Sequence, residues 1–277
     1  MNALHLVRVP IDIDALTRWA VDRGWASGRL HVFDRDMALH HLLNETFGAK
    51  ALQPFRLMVS PRQHRGNLYA YGAQDEEALR ELARATIKPE LAPVVDLDAF
   101  ATKLMPEAWR EGQRFGFDVR VRPMRRLLRD IPKAADGRGG FSRGAEVDAF
   151  LVEALRLHSD DASGMRLAER AREDVYRDWL AQRLGEAAAL ECADGSPTPD
   201  ARMVKFRRSR VVREAEAKGD TKRVRAPEGP DAVFHGTLRV RDPAKFAELL
   251  QRGVGRHRAY GFGMLMLFAP GRSAPSR

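Results

Sequence analysis

Gly253-Val254-Gly255-Arg256-His257-Arg258-Ala259-Tyr260-Gly261-Phe262-Gly263-Met264-Leu265-Met266-Leu267 interleaves four glycines with Arg256, His257 and Arg258 and ends in an apolar run. Upstream of it, Ala232–Val240 alternates, with Val233, His235, Thr237 and Arg239 against Phe234, Gly236, Leu238 and Val240, as a strand requires. Pro243 then opens a helix through Leu250, and Met264–Phe268 reads as a closing strand. Strand, helix, glycine-rich turn and strand therefore end the chain. Glycine lacks a Cβ, so this turn can take positive φ and approach a partner closely, while its arginines supply charge for phosphate. The competing reading is a tight corner with solvated arginines.

The N-terminal part shows the same logic in full. Residues 4–9 alternate as a strand, and Ile13 to Arg23 follows Asp12 with helical spacing at Ile13, Leu16, Trp19 and Ala20. Asp36 is the expected N-cap of a short helix through Phe47, stopped by Gly48. Phe55–Ser60 and Leu68–Tyr71 read as paired strands around a basic turn at residues 62–66. Asp75–Ala85 reads as a capped amphipathic helix, with Val94–Leu97 as the closing strand. Strand, helix, strand, strand, helix, strand is the ferredoxin-like order. The pattern repeats with Phe115–Val121, Tyr176–Leu184 and Ala201–Val212 ahead of the C-terminal elements.

The predicted fold class is therefore α+β, with tandem ferredoxin-like (RRM-like) domains at 1–112 and 113–277. The second carries an Arg-rich helical insertion at about 130–175, in which Leu151, Leu155 and Leu157 could form a local core. Residues 136–140 and 195–199 are Gly- and Pro-containing punctuation beside it.

Composition narrows the function. Lys+Arg of 47 against Asp+Glu of 38 gives a formal net charge of +9, which favours an acidic partner such as nucleic acid or an anionic membrane surface. No apolar run approaches the roughly 20 residues that span a bilayer, and the start reads as a strand without the apolar centre of a signal peptide. A cytoplasmic protein with no membrane partner is expected. Cys192 is the sole cysteine, so an intrachain disulfide and a cysteine-cluster zinc site are excluded, and a buried or incidental thiol is expected. The eight histidines show no metal-ligand spacing.

Two stretches are too cationic for ordinary sheet surface. Val119–Arg129 holds Arg120, Arg122, Arg125, Arg126 and Arg129, and Ala201–Arg213 holds Arg202, Lys205, Arg207, Arg208, Arg210 and Arg213. Solvated faces balanced by Glu214, Glu216 and Asp220 are the bland alternative. The dominance of arginine suits bidentate contacts to phosphates and base edges. With the glycine-rich stretch, these runs point to nucleic acid.

Several of these segments together resemble one family. Residues 233–243 and 253–265, Leu39-His40 followed by Leu43 and Phe47, residues 57–61 and 67–71, Phe117-Asp118-Val119-Arg120-Val121-Arg122-Pro123 and Tyr176-Arg177-Asp178-Trp179-Leu180 resemble the CRISPR-associated repeat-processing endoribonucleases, especially the CasE branch of type I-E systems. The likeness covers most of the chain except roughly residues 130–175. Met37, Asn44 and Glu45 depart from that branch's histidine helix, and with the insertion they suit a divergent relative of the type IV systems.

The resemblance implies a cleft that holds the stem-loop of a CRISPR repeat transcript, metal-independent cutting at the 3′ base of the stem, and retention of the mature crRNA in an interference complex with other subunits. No cofactor and no metal are implied. It implies a proton-transfer role for His40, with His41 as fallback; because Met37, Asn44 and Glu45 depart from the motif, the nearby Arg23, Arg29 and Arg35 could organise the strained phosphate instead, with His31 as another acid or base. Histidine suits either proton role because its ordinary pKa of roughly 6.5 lies near working pH. The RNA-binding set is Arg120, Arg122, Arg125, Arg126, Arg129, Lys205, Arg207, Arg208 and Arg210. To it the glycine-rich stretch adds Gly253, Gly255, Arg256, His257, Arg258, Gly261 and Gly263. Two other readings stay open: a repeat-binding subunit that does not cut, and a general RRM-type RNA-binding protein, for which Phe115 and Phe117 are the nearest aromatic candidates.

Overall fold

The structure is a computed structural model. It describes the chain except residues 1–2, 24, 26–33, 61, 134–139, 158–170, 193–196, 211–212, 215–223, 226–227 and 271–277. Arg29 and His31, most of 136–140, Gly195-Ser196, Glu216 and Asp220 therefore lie outside the described residues.

The first sheet is built by β1 (His5–Asp12), β2 (Phe55–Met58), β3 (Arg65–Gly72) and β4 (Ala101–Leu104), in the order β2-β3-β1-β4 with every pairing antiparallel. Helices α1 (Ile13–Asp22) and α2 (Arg35–Phe47) join β1 to β2, and α3 (Glu76–Thr86) joins β3 to β4. This is the ferredoxin-like order with two helices in place of one in the first crossover. Val7, Val9 and Ile11 alternate inward from β1 and meet Leu16 and Trp19 of α1, Leu39, Leu42 and Phe47 of α2, and Leu79 of α3.

Caps set the helix ends. Asp12 accepts from the Ala15 amide, Asp34 from Met37, Asp75 from Ala78 and Asp242 from Lys245, each satisfying an amide that the first turn leaves open. Asp34, not Asp36, caps α2; Asp36 is the second residue of the helix, about half a turn in, where its side chain serves the site below. The expected closing strand at Val94–Leu97 is likewise displaced to β4. Leu91, Val94 and Val95 are buried, but Leu91 and Val94 close turns on Lys88 and Leu91, so this segment seals the end of β1 through Asp12 N–H to Val94 O at 2.9 Å.

The second half repeats the plan. Strands β5 (Arg114–Val121), β6 (Met124–Arg126) and β7 (Glu146–Asp148) precede α4 (Ala149–Leu157) and α5 (Arg172–Leu184). Then come β8 (Ala188–Leu190), β9 (Ala201–Arg210), β10 (Arg213–Glu214), β11 (Val224–Arg225), β12 (Glu228–Val240), α6 (Pro243–Arg252) and β13 (Leu265–Phe268). The sheet order is β13-β5-β12, with β8 and β9 both on the far edge of β12. Phe117, Val119 and Val121 of β5 and Phe234 and Leu238 of β12 pack against Tyr176, Trp179 and Leu180 of α5 and Phe246 and Leu249 of α6.

Besides the helix α4, the insertion contributes an unexpected strand. Pro123 ends β5, and Met124–Arg126 pairs with Glu146–Asp148 in a separate two-stranded ladder over a small core of Leu127, Val147 and Val152. Leu151 packs on that core; the Leu157 side chain lies outside the described residues. α5 belongs to the sheet-covering layer. Cys192 is exposed, which leaves the incidental one of its two expected accounts.

The sheet faces turned away from the helices meet. Tyr71 Oη, fully buried, donates to Leu265 O at 2.9 Å across the two halves, and burial pushes the phenol well above its ordinary range.

Candidate active site and nucleic-acid interface

One face of α2 carries Asp36, His40 and Asn44 at helical i, i+4 spacing, toward the glycine-rich loop. The half-buried His40 ring lies 5.2 Å from the Tyr260 ring, and Asn44 Nδ2 is 3.2 Å from His40 Nε2, so the amide can donate to an unprotonated ring nitrogen. Burial, and then the like charge of His41, hold His40 below its ordinary pKa of 6.5. The ring is set up to be neutral and to accept a proton. His41 diverges, stacking on Trp25 with centroids 4.5 Å apart.

Arg120 holds that helix to the second half. Its Nη1 and Nη2 donate to Asp36 Oδ1 and Oδ2 at 3.0 and 2.7 Å, and its Nε and Nη2 donate to Asp231 Oδ1 and Oδ2 at 2.8 Å each. The guanidinium also lies 4.1 Å from the Phe262 ring centroid. Burial works to lower its pKa, but the Asp36 and Asp231 carboxylates outweigh it and push the value up. Burial raises Asp231, yet the hydrogen bonds and charges of Arg120 and Arg207 hold it below its usual value. Both edges of the Arg120 fork are thus filled by carboxylates. It is an internal clamp, which corrects its expected place among the RNA-facing arginines. Arg122 is corrected for the same reason: it is 2% exposed and donates to Ser209 O and Oγ.

The remaining candidates divide by position. Lys205, Arg207, Arg208 and Arg210 are exposed along β9, with Arg207 paired to Asp231 at 2.7 Å and Arg208 to Glu228 at 2.9 Å. Together with Arg35 they line a cavity of about 530 Å³ between the halves. Arg126 and Arg129 are exposed and Arg125 half-buried, on and after the short β6 ladder. Arg23 sits apart, its guanidinium held by Glu45 at 3.0 Å and Glu90 at 2.8 Å beside the Trp19 ring. Arg23 is a strut between α1, α2 and the chain after α3.

In the glycine-rich loop, the space that a side chain would need is filled by the protein itself. A Cβ on Gly255, at φ +78°, would lie 2.8 Å from Trp179, and one on Gly263, at φ +81°, would lie 2.4 Å from Val254 O. Here glycine lets the loop lie flat on α5, β2 and its own return, a different use from the expected close approach to a ligand. Arg256 is 55% exposed and pairs with Glu146, and Arg258 donates to Arg252 O. The His257 side chain is 2% exposed, turned inward toward Phe262, so it is not available to a phosphate.

A family model described as CRISPR associated protein matches residues 4–269. The chain belongs to this family. No curated protein matches it. Among solved structures, the CRISPR endoribonuclease Cse3 bound to 19 nt RNA is 19% identical, covers 97% of this chain and 100% of its own, and gives a TM-score of 0.57. Thermus thermophilus Cse3 bound to an RNA representing a pre-cleavage complex gives 18%, 96%, 99% and 0.56. Cas6e from Escherichia coli str. K-12 gives 17%, 96%, 99% and 0.50. At such identities the likeness is one of fold, and it spans both ferredoxin-like units.

Sequence reasoning missed a second polar cluster in this family member. Asp118 of β5 is fully buried; its Oδ2 lies 2.7 Å from His235 Nε2 and its Oδ1 lies 3.2 Å from Arg56 Nη2. The signal was present: a charged residue sits inside each of the strands Phe55-Arg56-Leu57 and Phe117-Asp118-Val119. Only the β5–β12 register, which sets Asp118 opposite His235, and the packing of β2 on that sheet bring the three together. Among the described residues no helix is long and apolar enough to cross a membrane, and no group of three His, Cys, Asp or Glu is placed to hold a metal ion.

Proposed function

We propose that the chain is a metal-independent endoribonuclease of the CRISPR repeat. It would bind the stem-loop in precursor RNA with residues of 1–112 and 113–277 together and cut at the 3′ base of the stem. One observation carries the reading: a half-buried histidine tuned toward neutrality, His40, lies against the glycine-rich loop of a CRISPR associated protein and one helical turn from Asp36 on the rim of an arginine-lined cavity.

The chemistry suits those groups. His40 takes the proton from a ribose 2′-hydroxyl, the oxygen attacks the adjacent phosphorus, and the P–O5′ bond breaks. The products are a 2′,3′-cyclic phosphate and a 5′-hydroxyl, whose oxygen takes its proton from water while protonated His40 returns its own to solvent. Arg35, which makes no ion pair among the described residues, supplies charge to the phosphorane without exchanging a proton. The exposed β9 cations and Arg256 hold the RNA. The mature crRNA then stays bound and brings the chain to other subunits of an interference complex.

The test is incubation with the repeat RNA in EDTA. A single cut at the stem base is expected, abolished by a 2′-deoxy nucleotide at that position while binding persists. Cutting of the deoxy substrate would overturn the mechanism. The commitment of Arg23 and Arg120 to carboxylates favours one alternative, a crRNA-binding subunit that does not cut; there the RNA stays bound and intact throughout.

A further inference from the structure

We propose that the cavity between the two halves is a site for one nucleotide of single-stranded RNA beside the stem, with Arg56 as its deepest contact. The inference rests on the RNA reading above and names a part of the substrate which that reading leaves open.

Arg56 projects from β2 and is 3% exposed, yet its Nε and Nη2 have no hydrogen-bond partner among the described residues. Its approach to Asp118 is a contact of charges without hydrogen-bond alignment, and the other oxygen of that carboxylate lies against His235. A buried guanidinium with open donors is a rarity that calls for a ligand. Its planar fork matches paired acceptors, either phosphate oxygens or the O6/N7 edge of guanine.

The walls select the ligand class. Arg207 and Arg208 on the rim are paired with Asp231 and Glu228, whereas Arg35, Lys205 and Arg210 make no ion pair among the described residues. The cavity therefore has a cationic surplus. Leu57, Met58 and Val233 line it as well, giving a base an apolar wall. About 530 Å³ is the scale of a small organic ligand, so a splayed-out nucleotide fits and a duplex does not. The 13-residue helix α2 presents its N-terminal end at Asp34 and Arg35, the positive end of its dipole. Asp36 lines the cavity and His40 follows one turn later, about 6 Å along the axis. A strand leaving His40 toward the start of α2 runs into the cavity.

The experiment measures anisotropy of a labelled single-stranded tetranucleotide RNA, a blunt stem-loop, and the stem-loop with a four-nucleotide tail. The tetranucleotide should bind saturably and the tail should tighten stem-loop binding. Arg56→Gln should weaken both effects roughly tenfold and leave the blunt stem-loop unaffected. Arg256→Gln, outside the cavity, should weaken the blunt stem-loop and spare the tetranucleotide. Should Arg56→Gln not fold, as thermal melting would show, the double variant Arg35→Gln/Lys205→Gln on the rim must weaken the tetranucleotide and remove the gain from the tail, measured against the same variant's blunt stem-loop binding. A tetranucleotide that fails to bind, or that binds both variants as it does the wild type, would overturn the site while stem-loop binding keeps the RNA reading intact. Adenosine 5′-monophosphate binding as tightly as the tetranucleotide would make this a free-nucleotide site and overturn the RNA-tail assignment. Failure of every RNA to bind would overturn the RNA reading and this site together.

Discussion

At the scale of single residues, His40 has the properties of a base more than of an acid. Burial and His41 lower its pKa from 6.5, so folding favours the neutral ring. The stability it contributes is fully present above pH 6.5 and is lost as pH falls through 6.5 toward the folded value. Single-turnover cleavage should accordingly keep its plateau down to pH 6.5 and show its acid limb only below that. His40→Ala should remove this limb and slow cutting by roughly 10²–10⁴-fold, with RNA affinity little changed. An acid limb centred above 6.5, or one that survives in His40→Ala, would assign the proton to another group. His40 itself was singled out through the family resemblance; local chemistry marked only its helix and the stop at Gly48. Its neighbour Tyr260 was not, since 220 residues separate them (260 minus 40).

At the scale of elements, the glycine-rich loop and β9 show how far a local pattern reads. The loop's position between α6 and β13 follows from Pro243 at the helix start and the apolar run after Gly263. The reason for its glycines did not follow, because it lies in Trp179, Pro54 and Val254, groups that only packing sets beside it. Gly263→Ala should cost about 2–5 kcal/mol in urea unfolding, from left-handed strain plus the backbone clash at Val254 O. Gly112→Ala, at φ +78° with nothing among the described residues within 4 Å of its Cβ, isolates the strain and should cost only about 1–2 kcal/mol. Equal losses would refute the packing explanation. The basic strand β9 read correctly as an exposed cationic edge, since alternation and charge are both local. The run at 119–129 did not: Pro123 splits it, Arg120 of β5 turns to Asp36 across the two halves, and Arg122 just after β5 is buried against Ser209.

At the scale of the whole molecule, Arg120 ties three parts together: α2 through Asp36, β12 through Asp231, and the loop through Phe262. Arg120→Gln leaves Asp36 and Asp231 without their shared cation and should lower the unfolding free energy by about 3–5 kcal/mol. In an Asp36→Asn/Asp231→Asn background the same substitution should cost clearly less, because no uncompensated carboxylate remains. Additive losses would show that Arg120 acts independently of the clamp. Asp231 also takes Arg207 of the exposed β9, so the putting-together of the histidine helix and the basic edge passes through one carboxylate.

What the chain determined by itself was much of what depends on near neighbours: the alternation of β1, β5 and β12, the Asp12 and Asp75 caps, the glycine stops, most of the order of elements and the cationic balance. Those follow from periodicity and turn chemistry within a dozen residues. The tertiary structure alone decided which cations are spent inside and which face outward. Arg120 and Arg122 look like Arg210 in sequence, and differ in whether a carboxylate or carbonyl of a distant element holds the guanidinium among the described residues. The Arg56–Asp118–His235 cluster has the same origin, because strand register and the meeting of two sheets place charges that no local pattern relates.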